Sequence, residues 1–533
     1  MKRKILSLVM SVMLLLTTVL GFAACGENYT YPENPGFSAR AVMTWNSGSP
    51  SSWNLECVHD PVIIEDNGTF YVYGTDNYGD FGYQIRKSTD LVDWKYVGVA
   101  IPGFGRNLAE VKANNAKEDG PLHEVYRWIS NNNRFDCATL WAPEVYPSKN
   151  GGFDLYGSWT TCFGSPRSII FMCHADKPEG PYTYVDTIVA SGASNSNAID
   201  ASVFTDAEGK LWLSYGSFSK GFSMIELNPE TGLRMDGAGF DEICTTTDET
   251  GSVTLLPNGN PSYAGVLYKS VSGTEGSVIN YHKDVSVYTG DIAKEKEDAS
   301  KWTTKDYYYL MGSKDSLSTT YNMRSWKSEK PTADYSAIGA RGNKVSGSFS
   351  WKSSERDQTI AYDYYCPGHN DMLTLSSGTS IIAYHNRVKF NTNNHSLFLS
   401  MYDFNSNGDL VISPNRYAGE SVRTVTAKEL TNVPGSKGKF DMVEISSSTD
   451  PVYCTTGVQF KSNGTWSSKE YPNGTWKMYG DHYIYLACGE LEWYGCVFPA
   501  WIEKKGSDGA AHGGLTISAI SNDGYAIYFN SAF

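Results

Sequence analysis

The stretch His59-Asp60-Pro61-Val62-Ile63-Ile64-Glu65-Asp66-Asn67-Gly68-Thr69-Phe70-Tyr71-Val72-Tyr73-Gly74 decides the fold. A polar entry leads into a short buried β-branched run. Asp-Asn-Gly supplies a turn, and an aromatic run returns, so the segment reads as a β-hairpin. The same plan recurs at Glu144-Val145-Tyr146, Asn150-Gly151-Gly152 and Phe153-Asp154-Leu155-Tyr156. It recurs again at Asp200-Ala201-Ser202-Val203, Asp206-Ala207-Glu208-Gly209 and Leu211-Trp212-Leu213-Ser214-Tyr215. A looser copy runs from Gly251-Ser-Val-Thr-Leu255 to Glu275-Gly-Ser-Val-Ile-Asn-Tyr281, and another from His369-Asn-Asp-Met-Leu-Thr-Leu375 to Ser380-Ile-Ile-Ala-Tyr384. Polar starts at positions 60, 144, 200, 275 and 369 define five units of irregular length. Four-stranded blades with loop insertions fit that spacing, and radial repetition protects strand edges. The expected fold is therefore all-β, with a five-bladed β-propeller over residues 46–405. A β-sandwich is the alternative, but it gives no reason for acidic or His residues to recur at the start of equivalent strands.

Residues 103–136 are longer and more polar than a blade turn and read as a surface loop over the propeller face. After about Phe404 the pattern changes. Gly474-Thr-Trp476, Asp481-His-Tyr-Ile-Tyr485, Tyr494-Gly-Cys-Val-Phe498, Leu515-Thr-Ile517 and Tyr525-Ala-Ile-Tyr528 read as short strands of a smaller C-terminal β-domain, a barrel or sandwich over 406–533. Counts of 51 Gly and 36 Tyr suit many tight turns between strands. A net charge of -14 argues against nucleic acid as a partner, because phosphates demand a basic surface.

Lys2, Arg3 and Lys4 precede an apolar run, and Phe22-Ala23-Ala24-Cys25 follows. Residues 1–25 thus read as an export signal ending in a lipobox-like site, with Cys25 lipidated and 26–45 a spacer. Plain secretory cleavage after Ala24 is the alternative. Either way the mature chain is expected outside the membrane. Ten cysteines are present, and nine remain if Cys25 is consumed. Export permits disulfides, with Cys162–Cys173 and Cys488–Cys496 as candidate pairs and buried thiols as the alternative.

In a propeller the first strand of each blade lines the central channel, so polar strand starts converge. Glycoside hydrolysis needs that convergence. One carboxylate activates water, one protonated acid serves the leaving oxygen, and a third carboxylate raises the acid's pKa. Asp60, Asp200 and Glu275 are the candidates. Glu144 is a rival acid whose structural alternative is to tie a blade together by hydrogen bonding.

These segments resemble glycoside hydrolase family 43, especially its arabinanase branch, over roughly residues 50–400. The resemblance lies in His59-Asp60-Pro61, Ser88-Thr89-Asp90-Leu91 with Trp94, Trp141-Ala142-Pro143-Glu144, Asn197-Ala198-Ile199-Asp200, and Cys366-Pro367-Gly368-His369-Asn370, in the family's order. The C-terminal region resembles the β-domain that follows some larger arabinanases. The resemblance implies Asp60 as general base, Glu275, matched by position, as general acid, and Asp200 as the residue that tunes and orients Glu275. It implies inversion, with base and acid roughly 6.5–9.5 Å apart. It places His59, Trp141, Gly164, Asn197, Ala198, Ile199, Ser217, Phe218 and Ser219 near the sugar, with Trp141, Trp159 and Phe218 able to stack on furanose faces or to be buried between blades. It implies that His369 holds a calcium ion in the channel, mainly through ordered waters, with Asp371 assisting or capping a turn; a channel His without metal is the alternative.

Three departures stand out. Glu275 is followed by Gly-Ser rather than the family's usual run, Ser219 replaces a common aromatic residue, and 103–136 looks inserted. The expected activity is internal cleavage of α-1,5-linked arabinan or arabino-oligosaccharides of the plant cell wall. An exo-acting α-L-arabinofuranosidase or β-xylosidase, and a non-catalytic glycan-binding lipoprotein, are the alternatives; the last expects a lost carboxylate, and all three are present.

Overall fold

The computed structural model describes residues 29–37, 54–76, 79–131, 135–164, 167–191, 196–218, 221–245, 263–268, 274–339, 341–357, 363–388, 391–446 and 451–533. Signal region 1–25, most of spacer 26–45, Gly251–Leu255 and Ser219 lie outside them. Each repeat predicted from sequence is a four-stranded antiparallel blade. Blade I holds Val62–Asp66, Thr69–Gly74, Gln84–Ser88 and Lys95–Val99. Blade II holds Trp141–Pro147, Phe153–Thr160, Ser168–Ala175 and Thr183–Ser191. Blade III holds Ser202–Thr205, Leu211–Tyr215, Phe222–Leu227 and Tyr263–Tyr268. Blade IV holds Thr274–Tyr288, Trp302–Lys314, Asn322–Ser328 and Asn343–Ser346. Blade V holds Gly368–Thr374, Ser380–Val388, Asn391–Phe404 and Leu410–Ile412. The ring is fastened where residues 55–57 meet blade V: the Cys57 amide donates to the His395 carbonyl at 2.9 Å, and the Leu397 amide to the Leu55 carbonyl at 2.9 Å.

One backbone feature repeats in every blade. Asp60, Ala142, Asp200, Gly276 and His369 all sit in the left-handed region, with φ of 50°, 39°, 59°, 64° and 45°. Four of the five are not glycine, and such residues are uncommon there and tend to mark functional sites. Ladder pairing is irregular just after this residue in blades II, IV and V. This is how a bulge re-aims side chains at a strand's end. Three positions further on stand Ile63, Val145, Val203, Ile279 and Met372, all buried. The fivefold plan is thus a polar entry held by a left-handed turn and followed by an apolar anchor.

Residues 103–136 differ from the loop expected. They contain helices Leu108–Asn115 and His123–Ser130. Asn107 caps the first by accepting from the Glu110 amide at 3.0 Å. Leu122, just before the second, and its Val125 and Ile129 are buried in the core cluster shared by blades I and II.

The C-terminal domain is a closed eight-stranded barrel. It begins at Lys439–Glu444, which pairs with the last strand, Ala526–Ser531. One apolar cluster runs from the propeller (Tyr309, Phe349, Phe404) into the barrel (Tyr479, Phe498, Tyr528). All nine described cysteines are free thiols, so neither expected disulfide forms. Cys173 is instead buried in a core cluster of blades I and II, and Cys496 donates its thiol to the Phe404 carbonyl at 3.3 Å.

Candidate active site

The five strand entries bring Asp60, Asp200 and Glu275 into one buried cluster, each 8% exposed or less. Asp60 accepts from the Thr75 hydroxyl at 2.6 Å through Oδ2. Its Oδ1 lies 3.2 Å from His59 Nε2 and 3.2 Å from His369 Nδ1. Burial alone raises the Asp60 pKa, but His369, His59, the Thr75 hydrogen bond and Arg387 together hold it below the usual carboxylate value. Burial also drives the imidazoles of His59, His385 and His395 neutral. Arg387 is therefore the standing positive charge behind Asp60; its guanidinium meets His59 Nε2 at 3.2 Å.

Glu275 is set the opposite way. Burial pushes its carboxyl up to about 7, with the Asp60 charge adding to the rise. The Tyr321 hydroxyl donates to its Oε1, and the Ser217 hydroxyl lies 3.3 Å from its Oε2. Asp200 accepts from the Gly276 amide at 3.0 Å, one residue from Glu275. Burial, then Glu275 and Asp60, raise Asp200 well above its usual value. Two neighbouring carboxyls that resist joint ionisation, beside a third that stays ionised, form an arrangement that can both give and accept a proton.

Residues 56–288 match the model of glycosyl hydrolases family 43, and residues 414–529 match that of its C-terminal lipocalin-like domain. The chain carries a glycosyl hydrolase family 43 domain. It is a glycosidase. This family 43 chain is 26% identical over 510 residues to extracellular endo-α-(1→5)-L-arabinanase 2 of Bacillus subtilis (strain 168), covering 88% of this chain and 92% of the relative. It is 26% identical over 513 residues to extracellular endo-α-(1→5)-L-arabinanase of Thermotoga petrophila, covering 88% and 93%. Among solved structures it resembles the family 43 YxiA protein from Bacillus licheniformis, with a TM-score of 0.66 at 25% identity over 89% of this chain and 98% of that one.

The remaining expected residues of the family 43 site divide by exposure. Ser217 lies between Asp200 and Glu275, hydrogen-bonding to both. Phe218 is 41% exposed, and its amide donates to the Thr274 carbonyl at 2.8 Å, which fixes it beside Glu275. Trp141 is half-buried, with its indole N–H on Thr139 at 2.8 Å. Its ring lies 6.0 Å from that of Phe163, which is 79% exposed and adjoins Gly164. Asn197 accepts from the Ser168 hydroxyl at 2.7 Å, and Ala198 and Ile199 are buried, so this segment braces Asp200. Trp159 does not stack on sugar. It is fully buried, donates to the Cys137 carbonyl at 3.1 Å and packs against Phe104 and Phe135, because the helical insertion closes over it. Glu144 accepts from the Val203 amide at 3.3 Å, joining blades II and III.

Sequence reasoning missed Thr75, Tyr321, Arg387, His385 and His395. They sit on second and third strands or at their ends, where no repeat marks them. The available signal was His385-Asn386-Arg387 within the otherwise apolar strand Ser380–Val388, since buried charge in a strand needs a partner.

The donor chemistry limits any metal. Donor atoms of His59, Asp60 and His385 all lie within 4.8 Å of one another. However, Arg387 engages His59 Nε2, and the Asp60 amide donates to His385 Nδ1 at 3.3 Å, so both lone pairs are occupied. Asp60 is the one oxygen donor of that set, while calcium favours six to eight oxygens. His369, the residue expected to hold calcium, lies in the same cluster, with its Nδ1 3.2 Å from Asp60 Oδ1.

Proposed function

We propose that this family 43 glycosidase cleaves α-1,5-linked arabinan internally and with inversion, with Asp60 as base and Glu275 as acid. The observation that carries the reading is the opposite setting of two buried carboxyls in one cluster: Asp60 is held low, and Glu275 is pushed up to about 7. At neutral pH the first accepts a proton from water as that water attacks the anomeric carbon. The second gives its proton to the departing glycosidic oxygen, and Asp200 keeps it available by opposing a second negative charge. Relatives of nearly the same length are named extracellular endo-arabinanases, which supports both the substrate and an extracellular location. Cys25 would add a lipid tether at the cell envelope.

Calcium belongs to the same proposal. His369 would hold it through one imidazole nitrogen, and the bound ion would add positive charge beside Asp60. The His369 main-chain N–H is fixed by a 2.7 Å bond to Ser313, which sets the ring's place at the entry of blade V.

The test is incubation with debranched arabinan, linear xylan and aryl glycosides, with products sized. Arabino-oligosaccharides are expected; arabinose as sole product, or xylan cleavage, would sink the endo-arabinan reading. Asp60→Ala should abolish turnover while circular dichroism stays native.

A further inference from the structure

Glu275 can donate its proton from only one of two oxygens, and a directed hydrogen-bond chain selects which. The chain starts at the main-chain N–H of His369, which can only donate; it gives its hydrogen to Ser313 Oγ at 2.7 Å. The Ser313 hydroxyl bonds onward to the Tyr321 hydroxyl and, with its oxygen already accepting from His369, has its own hydrogen free for the phenol oxygen. The Tyr321 hydroxyl then has its own hydrogen free for Glu275 Oε1. Each hydroxyl carries one hydrogen, so a chain that begins on an obligate donor can run in a single sense through Ser313 and Tyr321 to Glu275.

The Tyr321 ring has little freedom to leave this arrangement. It is fully buried and stacks on His385 at 5.7 Å with an interplanar angle of 6°. A side chain on Gly368 would come within 2.2 Å of the ring, so the glycine beside His369 is the space the tyrosine occupies. Oε2 has a weaker neighbour, the Ser217 hydroxyl at 3.3 Å, which also hydrogen-bonds to Asp200.

We infer that Tyr321 is a positioning residue of the hydrolysis: by holding Oε1 as a permanent acceptor, it places the transferable proton of Glu275 on Oε2, facing Ser217. This rests on the reading of Glu275 as the general acid. Tyr321 touches neither water nor sugar in this role and acts only through Glu275.

The experiment compares wild type, Tyr321→Phe, Ser313→Ala and Glu275→Gln on two substrates: debranched arabinan, whose leaving group needs a proton, and an arabino-oligosaccharide with a p-nitrophenyl leaving group, which does not. Circular dichroism confirms folding. Tyr321→Phe is expected to lose roughly tenfold in kcat/KM on arabinan and less than about twofold on the aryl substrate, a fraction of what a whole general acid contributes. Ser313→Ala should show the same selectivity, smaller in size, and serves as the test should Tyr321→Phe not fold. Equal losses on both substrates, or none on either, would overturn the positioning role. If Glu275→Gln is selective and the Tyr321 and Ser313 variants are not, the inference fails while the acid reading stands. If Glu275→Gln shows no selectivity, the acid reading itself falls.

Discussion

Thr75 stands between Asp60 and the next blade: its hydroxyl donates to Asp60 Oδ2 at 2.6 Å and accepts from the Ala142 amide at 2.7 Å. Because the Ala142 N–H can only donate, the threonine hydrogen is committed to the carboxylate. The contact between blades I and II thereby stabilises the charged form of Asp60.

Removing that hydroxyl should raise the Asp60 pKa, since a hydrogen bond to the ionised form is lost. Thr75→Val should move the acidic limb of the kcat/KM–pH profile upward by about 1–2 pH units, in line with roughly 1.5–3 kcal/mol for a bond to a charged group. Thr75→Ser should behave as wild type. An unmoved acidic limb in Thr75→Val would remove Thr75 from the control of Asp60.

Glu275 gives a pH dependence of the opposite sense. Its folded pKa of about 7 lies above the ordinary value of 4.5, so its contribution to stability is fully present below about 4.5 and lost as pH rises through 7. Glu275→Gln cannot ionise. It should melt higher than wild type at pH 8 and gain nothing at pH 4, as read by calorimetry, with activity lost at both. The upper bound on the gain is about 3 kcal/mol, from a rise of roughly 2.5 units. Wild-type activity on arabinan should correspondingly decline above about pH 7.

The sequence showed where the entries lie and not how they are held. Asp60, Asp200 and His369 were visible because each opens an apolar run, and their shared left-handed backbone accounts for that recurrence. Glu275 is offset by one residue, with Gly276 in the left-handed position, so the departure from the family's usual run falls at the turn itself. The groups that tune the site were hidden because Thr75, Tyr321 and Arg387 reach it from neighbouring strands, at sequence distances that no periodicity records. The helical insertion was misread although its signs were present: Asn107 with Glu110 is a helix-start pattern, and Leu122, Val125 and Ile129 recur at helical spacing. The high polarity of 103–120 outweighed them.

Gly276 offers a sharper test of the entry geometry than the carboxylates do. At φ 64° a side chain is strained, and a Cβ there would meet His369 Nδ1 at 3.2 Å. Gly276→Ala should cost about 1–2 kcal/mol in stability from backbone strain. It should cost more in activity, at least tenfold, because the shift acts on Glu275, the Asp200 contact and His369 together. Urea unfolding and kcat on arabinan measure the two. A variant with full activity would show that the left-handed entry is not what aligns the acid.

The two domains should unfold as one. Their shared apolar cluster is reinforced by polar contacts across it. Tyr528 of the barrel donates to the Val345 carbonyl of blade IV, Ser406 and Tyr479 share a hydrogen bond at 2.5 Å, and Trp302 stacks on Tyr479 at 6.0 Å. Tyr528 is 1% exposed, so Tyr528→Ala should open a cavity and leave the Val345 carbonyl unpaired, costing about 3–5 kcal/mol. Calorimetry should show a single transition in wild type and a single, lower one in Tyr528→Ala. Two separated transitions, with the variant lowering only the barrel's, would mean that the barrel is an appended module whose loss the propeller tolerates.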